Sequence, residues 1–421
     1  MKVRIVKGLF ALALIASLIF SGGCGGKQES TQGQPPVTGK DWAAIVAQAK
    51  GSTVYFYGWG GDQRINRWLD ETVAPGLREK YGIKLVRVGM NINEILTKLI
   101  SEKQAGRESG SIDIVWINGE NFYTAKKNDL LHGPFAQDLQ AVKQYIDGRD
   151  PESQLDFGQP IEGYEAPFGK AQLVMIYDSA KIKEDELPRS AQALMALAQK
   201  YPGKITYPAP PDFTGSAFVR NVICDVVGRD KLDNLNPRDK AAVEAAIRPG
   251  VEFLAGLKPY LWRKGETYPA TLAQLHNMFA DGEIILAMDY APYSAMGKVR
   301  DGQFPSTVKT LVFDKGTLGN THYLAVPFNS PNKAGAMVAI NFLLSPEMQA
   351  SKYAAENWGD LPAIDMHKLS AEEQSLFGKA NRGDAAISGE YLQGHRISEP
   401  YAALVPVIDE IWLQRVVREG K

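Results

Sequence analysis

Apolar and polar positions alternate between two periods along most of the chain. Thr53 to Tyr57 are five β-favouring residues, followed by Gly58-Trp59-Gly60-Gly61-Asp62. From there Ile65, Trp68, Leu69, Val73 and Leu77 recur at helical spacing as far as Tyr81-Gly82. Ile83 to Val88 predicts a second strand. Ile92, Ile95, Leu96, Leu99 and Ile100 mark a second helix, and the apolar run Ile112 to Ile117 a strand buried on both faces. Strands alternating with helices indicate an α/β fold with a parallel sheet. Pro167 to Tyr177 is a loop followed by a strongly β-prone run, read as a crossing into a second lobe. Thr307 to Phe313 is read as the return. The expected division is lobe 1 over 41–170 and 305–421 and lobe 2 over 171–304, with packing of the C-terminal helices on lobe 2 as the alternative. Residues 363–396 are polar with little pattern, and Ile408, Ile411, Trp412 and Val416 predict a final helix.

Candidate chemistry lies where these elements end. In open α/β sheets ligands bind beyond the carboxyl ends of the strands. Trp59 offers a flat face there, and Asp62 suits a helix N-cap; a tight turn with a core-packed Trp is the plainer alternative. Asn118, Glu120 and Asn121 follow the buried strand in a second glycine turn. Thr214 and Ser216 sit at an expected helix start, where free N–H groups favour acceptor or anionic groups and where either hydroxyl also serves as a cap. Asp289 and Tyr290 end another expected strand, and Asn320 and His322 lie in a loop before a further one. His322 has an ordinary structural reading as well.

The ends of the chain add a location. Lys2, Arg4 and Lys7 precede an apolar run, Gly8 to Phe20, and Ser21-Gly22-Gly23-Cys24. This reads as a secretory signal, too short to remain as a membrane span. The Cys after two glycines resembles a lipobox with Cys24 lipidated, although Ser21 stands where Leu is usual. Residues 25–40 are rich in Gly, Gln, Pro, Ser and Thr without periodicity, a flexible tether. The formal charge of -1 becomes -4 once residues 1–23 with their three basic side chains are removed, so nucleic acid is not an expected partner. Cys224 is then left without a pairing partner and reads as a buried small hydrophobe.

Enzyme signatures are missing. There is no Walker A, HExxH or GxSxG sequence, and Gln63 stands where a dinucleotide fingerprint needs its third glycine. The five histidines lack metal-ligand spacing, so no metal and no cofactor is expected.

Several stretches carry a family resemblance: Trp59-Gly-Gly-Asp62 with Ile65-Asn-Arg67, Trp116-Ile-Asn-Gly-Glu-Asn-Phe122, Pro211-Asp-Phe-Thr-Gly-Ser-Ala-Phe218, Tyr260-Leu-Trp-Arg263, Gly319-Asn-Thr-His322 and Asn341-Phe-Leu-Leu-Ser-Pro346. With the lipobox, they make the chain resemble the extracellular substrate-binding lipoproteins of ABC importers, and within them the YnjB-like family. The resemblance implies a two-lobed, periplasmic-binding-protein-like (type II) fold with a hinge and a central cleft. It implies a monomer anchored by lipid at the outer face of the cytoplasmic membrane, handing a small solute to a permease and its ATPase. Aromatic faces, amides, hydroxyls and carboxylates fit a small polar organic solute, and a cation fits them too. Three alternatives stay open. Glu120 and Asp289 could form a hydrolase pair, the module could sense rather than deliver, and tyrosines with carboxylates could bind ferric ion. Tyr290 and Tyr293, three apart, weigh against the last.

Overall fold

Three parallel strands set the first layer: β1 (Thr53–Gly58), β2 (Lys84–Gly89) and β3 (Ile114–Ile117), with β1 in the middle, Val54 opposite Leu85 and Phe56 opposite Ile114. This computed structural model describes residues 41–380, 382–383 and 386–418. The leader, Cys24 and the tether fall outside the described residues.

The segment after β1 departs from a single regular helix. Helix Gln63–Trp68 passes through a π turn at Leu69–Val73 into helix Ala74–Tyr81. Pro75, at the start of the last piece, has no N–H to give to the preceding turn, and a wider turn accommodates that loss. Gly82, at φ 68, stops the helix in the left-handed region that a glycine adopts without penalty. Helix Ile92–Gln104 then begins with a reciprocal cap between Asn91 and Glu94.

The short strands β4 (Leu131–His132), β5 (Leu155–Asp156) and β6 (Gln159–Pro160) lead to β7 (Glu165–Gln172) and β8 (Val174–Asp178). β7 belongs to the first sheet and β8 to a second, so the chain changes sheets at Leu173. The second sheet is antiparallel, with β8 between β9 (Leu286–Asp289) and β10 (Val308–Leu311). The chain is back in the first sheet at β11 (Thr317–Pro327), whose eleven residues are all buried. β11 pairs antiparallel with β3 and β7, and β12 (Leu361–Pro362) extends the β7 edge, giving the order β12-β7-β11-β3-β1-β2. β13 (Arg396–Ser398) joins β11 in parallel.

Several sequence expectations shift here. Asn320 and His322 lie inside β11 rather than in a loop before it. Lys204 to Tyr207 contributes a bridge between Ile205 and Leu286 instead of a strand. The supposedly patternless segment holds helices Ala371–Lys379 and Gly389–Gly394 and β13. The final helix, Val405–Trp412, packs on the core of the second sheet, where the Trp412 indole donates to the Tyr207 hydroxyl at 3.0 Å. Among the described residues no helix is long and apolar enough to cross a membrane.

Candidate functional site

At the carboxyl edge of β1, Trp59 is 36% exposed and is no core residue. Its indole lies on Gly61, where a Cβ would fall 2.3 Å from the ring. Asp62 caps helix Gln63–Trp68, accepting from the Arg64 N–H at 2.8 Å, and it pairs with Arg64 at 3.1 Å and Lys298 at 3.0 Å. Burial alone would raise its pKa, but the two cations outweigh burial and hold the carboxyl well below the usual range. Those partners commit Asp62 to the fold. Arg64 also donates to the Ser294 carbonyl and hydroxyl, both at 2.8 Å, tying the first helix to helix Ser294–Arg300.

The turn after β3 is different. Asn118 donates to the Asn320 side chain at 3.1 Å, joining the turn to β11. The Gly119 N–H donates to Asp156 at 2.6 Å, and φ 62 at Gly119 lets the chain turn over the Phe157 ring. Glu120 opens helix Glu120–Lys127; one of its oxygens accepts from Asn121 at 3.3 Å, and among the described residues Oε2 is buried without a partner. Burial pushes its pKa up to about 7, more than nearby Arg220 pulls it down. Behind the turn, Asp156 and Glu165 are fully buried, and burial raises both well above the usual carboxylate range. Among the described residues neither oxygen of Glu165 has a partner.

Across from this turn lies helix Phe213–Val227. Its cap is Asp212, which accepts from the Gly215 N–H at 2.9 Å; the hydroxyls of Thr214 and Ser216 do not serve, because both residues lie inside the first turn, buried. Ser216 donates to Asp409 at 2.6 Å and accepts from Arg220, one helical turn later. Arg220 grips Glu399 through Nε at 2.9 Å and Nη2 at 3.0 Å, and the Tyr290 hydroxyl donates to the same carboxylate. Phe157 and Phe213 lie 6.2 Å apart and Phe213 and Tyr290 5.5 Å apart, an aromatic wall beside these polar groups.

The structure thus brings Asn118, Glu120, Asn121, Ser216, Tyr290 and Asn320 into one polar seam, with Thr214 buried at its edge. Trp59, Asp62, Asp289 and His322 have other surroundings. Asp289 accepts from the Ala291 N–H at 3.0 Å and lies 3.6 Å from His276. The charged groups acting on Glu120 include Arg220, Asp409, Glu399 and Asp156, while Asp289 lies beside His276, so the two carboxyls have different surroundings. His322 has both ring nitrogens engaged. Trp116 Nε1 can only donate, so Nδ1 accepts at 3.0 Å and Nε2 carries the proton given to Asp360 at 2.8 Å. Lys352 completes that buried group at 2.7 Å from Asp360. Tyr290 turns to Glu399 while Tyr293 lies against Tyr353, and burial raises both phenols, which disfavours a tyrosinate pair.

Sequence reasoning missed Arg220, Asp156, Glu165, Glu399 and Asp409. Only Arg220 left a signal, a charge inside the apolar run of its helix.

A profile of the family described as bacterial extracellular solute-binding protein matches residues 75–375. The chain belongs to that family. Protein YnjB of Escherichia coli (strain K12) is 34% identical over 379 residues, covering 89% of this chain and 94% of the relative. Two solved structures share the fold. A putative spermidine/putrescine ABC transporter from Listeria monocytogenes has TM-score 0.59 at 16% identity, covering 86% of this chain and 98% of that one. The periplasmic binding protein AfuA from Actinobacillus pleuropneumoniae, with exogenous fructose-6-phosphate bound, has TM-score 0.61 at 13% identity, covering 87% and 98%. The fold is that of type II periplasmic binding proteins. In this solute-binding protein, the turn after β3 and helix Phe213–Val227 present polar groups to one another, as Asp62 and Arg64 do to Lys298 and Ser294.

Proposed function

We propose that this solute-binding protein is the capture component of an ABC importer, closing two lobes, one on each sheet, over a small polar organic solute and delivering it to a permease and its ATPase. The observation that carries this reading is the seam itself. Asn118 and Glu120 come from the first sheet, Ser216 and Tyr290 from the second, and Glu399 and Asp409 from the C-terminal segment. A solute enclosed there loses water from its polar groups, and each must find a protein partner. The body acts as a monomeric carrier tethered through a lipidated Cys24. The two solved relatives name solutes of opposite charge, so the fold alone does not choose between them.

The chain crosses between sheets at Leu173 and again between Leu311 and Thr317, which leaves a hinge but restricts its direction. A solute touching both sides binds the closed state better and shifts the population toward it. Small-angle scattering of the protein stripped of solute and then reloaded with its native solute, identified by native mass spectrometry, is expected to show a smaller radius of gyration on binding. Unchanged scattering at saturation would remove closure. Ser216→Ala combined with Thr214→Ala is expected to weaken binding, and a double variant that binds equally well would place the site on one side alone. Cys24→Ala is expected to release the body from membranes without unfolding it.

A further inference from the structure

We infer that the solute is a small organic cation carrying a primary or secondary amine, that its N–H groups go to Glu120 Oε2, and that Phe157, Phe213 and Tyr290 enclose its carbon skeleton. This rests on the reading of the seam as the solute site.

Charge balance is the first argument. Among the described residues, Glu120 from the turn after β3 and Glu399 and Asp409 from the C-terminal segment face the guanidinium of Arg220, while Arg229 is held at the Glu399 backbone and by Asp233. The Arg220 guanidinium is already used: Nε and Nη2 go to Glu399, and Nη1 goes to Ser216. An anionic solute entering the seam would meet a cation whose charge is neutralised and a surplus of carboxyl groups. Partnering gives the second argument. Among the described residues Glu120 Oε2 is buried without a partner, and a lone buried polar atom costs free energy that a ligand pairing with it recovers. Third, the neighbouring wall is aromatic, and ring faces attract a desolvated cation.

Proton balance follows. With Glu120 up at about 7 through burial, and Asp409 also raised by burial, the empty seam holds protons near neutrality. The groups facing Glu120 from other elements are Arg220, Asp409, Glu399 and Asp156. An ammonium arriving at Glu120 takes the place of that proton, which leaves to solvent, while the solute keeps its own. Binding therefore tightens as pH rises from 5 toward 7 and levels off above.

The test uses the whole body, stripped of solute by mild unfolding and refolding, and a bacterial metabolite extract as probe. Extract is divided over strong cation and strong anion exchangers, and each fraction is assayed for a rise in melting temperature. Stabilising activity is expected in the fraction held by the cation exchanger, and treatment with acetic anhydride is expected to abolish it. Glu120→Gln, which keeps shape and loses charge, is expected to weaken binding of that fraction by about tenfold or more. Activity in the cation-exchange flow-through, activity held by the anion exchanger, or activity that survives acetylation each overturns the amine while leaving solute capture in place. Unweakened binding by Glu120→Gln overturns the role of that carboxylate. If no fraction stabilises the protein, solute capture at the seam fails, and this inference with it. Calorimetry of the active fraction in two buffers of different ionisation enthalpy is expected to show proton release at pH 6 that shrinks by pH 8; proton uptake would contradict the exchange at Glu120.

Discussion

Arg220 and Glu399 lie 179 residues apart in sequence and meet through two hydrogen bonds of 2.9 and 3.0 Å, each side chain about 1% exposed. The pair joins helix Phe213–Val227 to the segment that follows β13, and Tyr290 completes it from the end of β9. Removing one partner strands the other as a buried, unpaired charge. Glu399→Ala is therefore expected to destabilise the solute-free protein by roughly 3–5 kcal/mol in chemical denaturation. Arg220→Met with Glu399→Leu is expected to cost less than either single change. A double variant less stable than both singles would show that the pair is more than a mutual neutralisation.

A second prediction concerns the contact between the first helix and helix Ser294–Arg300. A Cβ on Gly297 would stand 1.7 Å from Arg64 Nη1 and 2.1 Å from the Ala355 carbonyl oxygen, and the second of these is backbone. Gly297→Ala is expected to cost about 1–3 kcal/mol or more through overpacking. Among the described residues nothing lies within 4 Å of where a Cβ would stand on Gly378, inside helix Ala371–Lys379. Gly378→Ala is expected to be neutral or stabilising by up to about 1 kcal/mol, since only helix propensity changes. Equal melting temperatures for the two variants would contradict the close approach at Gly297.

The third prediction is the pH dependence of the solute-free protein. Glu120 is pushed by burial from 4.5 to about 7, so the folded state binds more protons than the unfolded state across that interval. The contribution of Glu120 is present below pH 4.5 and is lost as pH rises toward 7. Asp156 and Glu165 act in the same direction. Asp62 and Asp360 act the opposite way: burial would raise them, but paired cations hold them low, so their stabilisation is lost in acid. Urea midpoints are expected to fall between pH 4.5 and 7.5, and Glu120→Gln is expected to flatten that slope. A midpoint that rises over this interval would contradict the burial of these carboxyls.

Cys224 supplies a fourth. It is 3% exposed, and burial pushes its thiol up to about 12. Alkylation mapped by mass spectrometry is expected to reach it only after denaturation. Modification of the native protein within minutes would place it nearer the surface than the structure does.

The sequence carried the first sheet well, because β1, β2 and β3 are read from local apolar runs and glycine turns. It also marked Asn118 and Glu120, which stand at the turn after β3, and Ser216, at the start of helix Phe213–Val227. It could not show which side chains were already taken. Asp62 has the look of a cleft carboxylate until Lys298, 236 residues away, is found beside it. His322 is similar: Trp116 and Asp360, both remote in sequence, occupy its two nitrogens. Glu399 and Asp409 were illegible for the complementary reason. Glu399 follows the short strand β13, and Asp409 is on the polar side of a helix whose apolar positions alone were legible; both are placed by β13 and by the packing of Trp412 on a distant core.

The position of β11 has a consequence for timing. It sits between β7 and β3 and is contributed by residues 317–327, while β1 to β3 are complete by residue 117. Until β11 arrives, β3 is an unpaired edge of apolar residues, and the parallel strands have nothing to close against. At about 5–20 residues per second of synthesis, this incomplete state persists for roughly ten seconds or more. For a chain that crosses a membrane unfolded, a fold that withholds its central strand until most of the chain exists remains threadable for that long. The same delay leaves β3 open to other chains, so holdase chaperones would find their natural target at Ile114–Ile117.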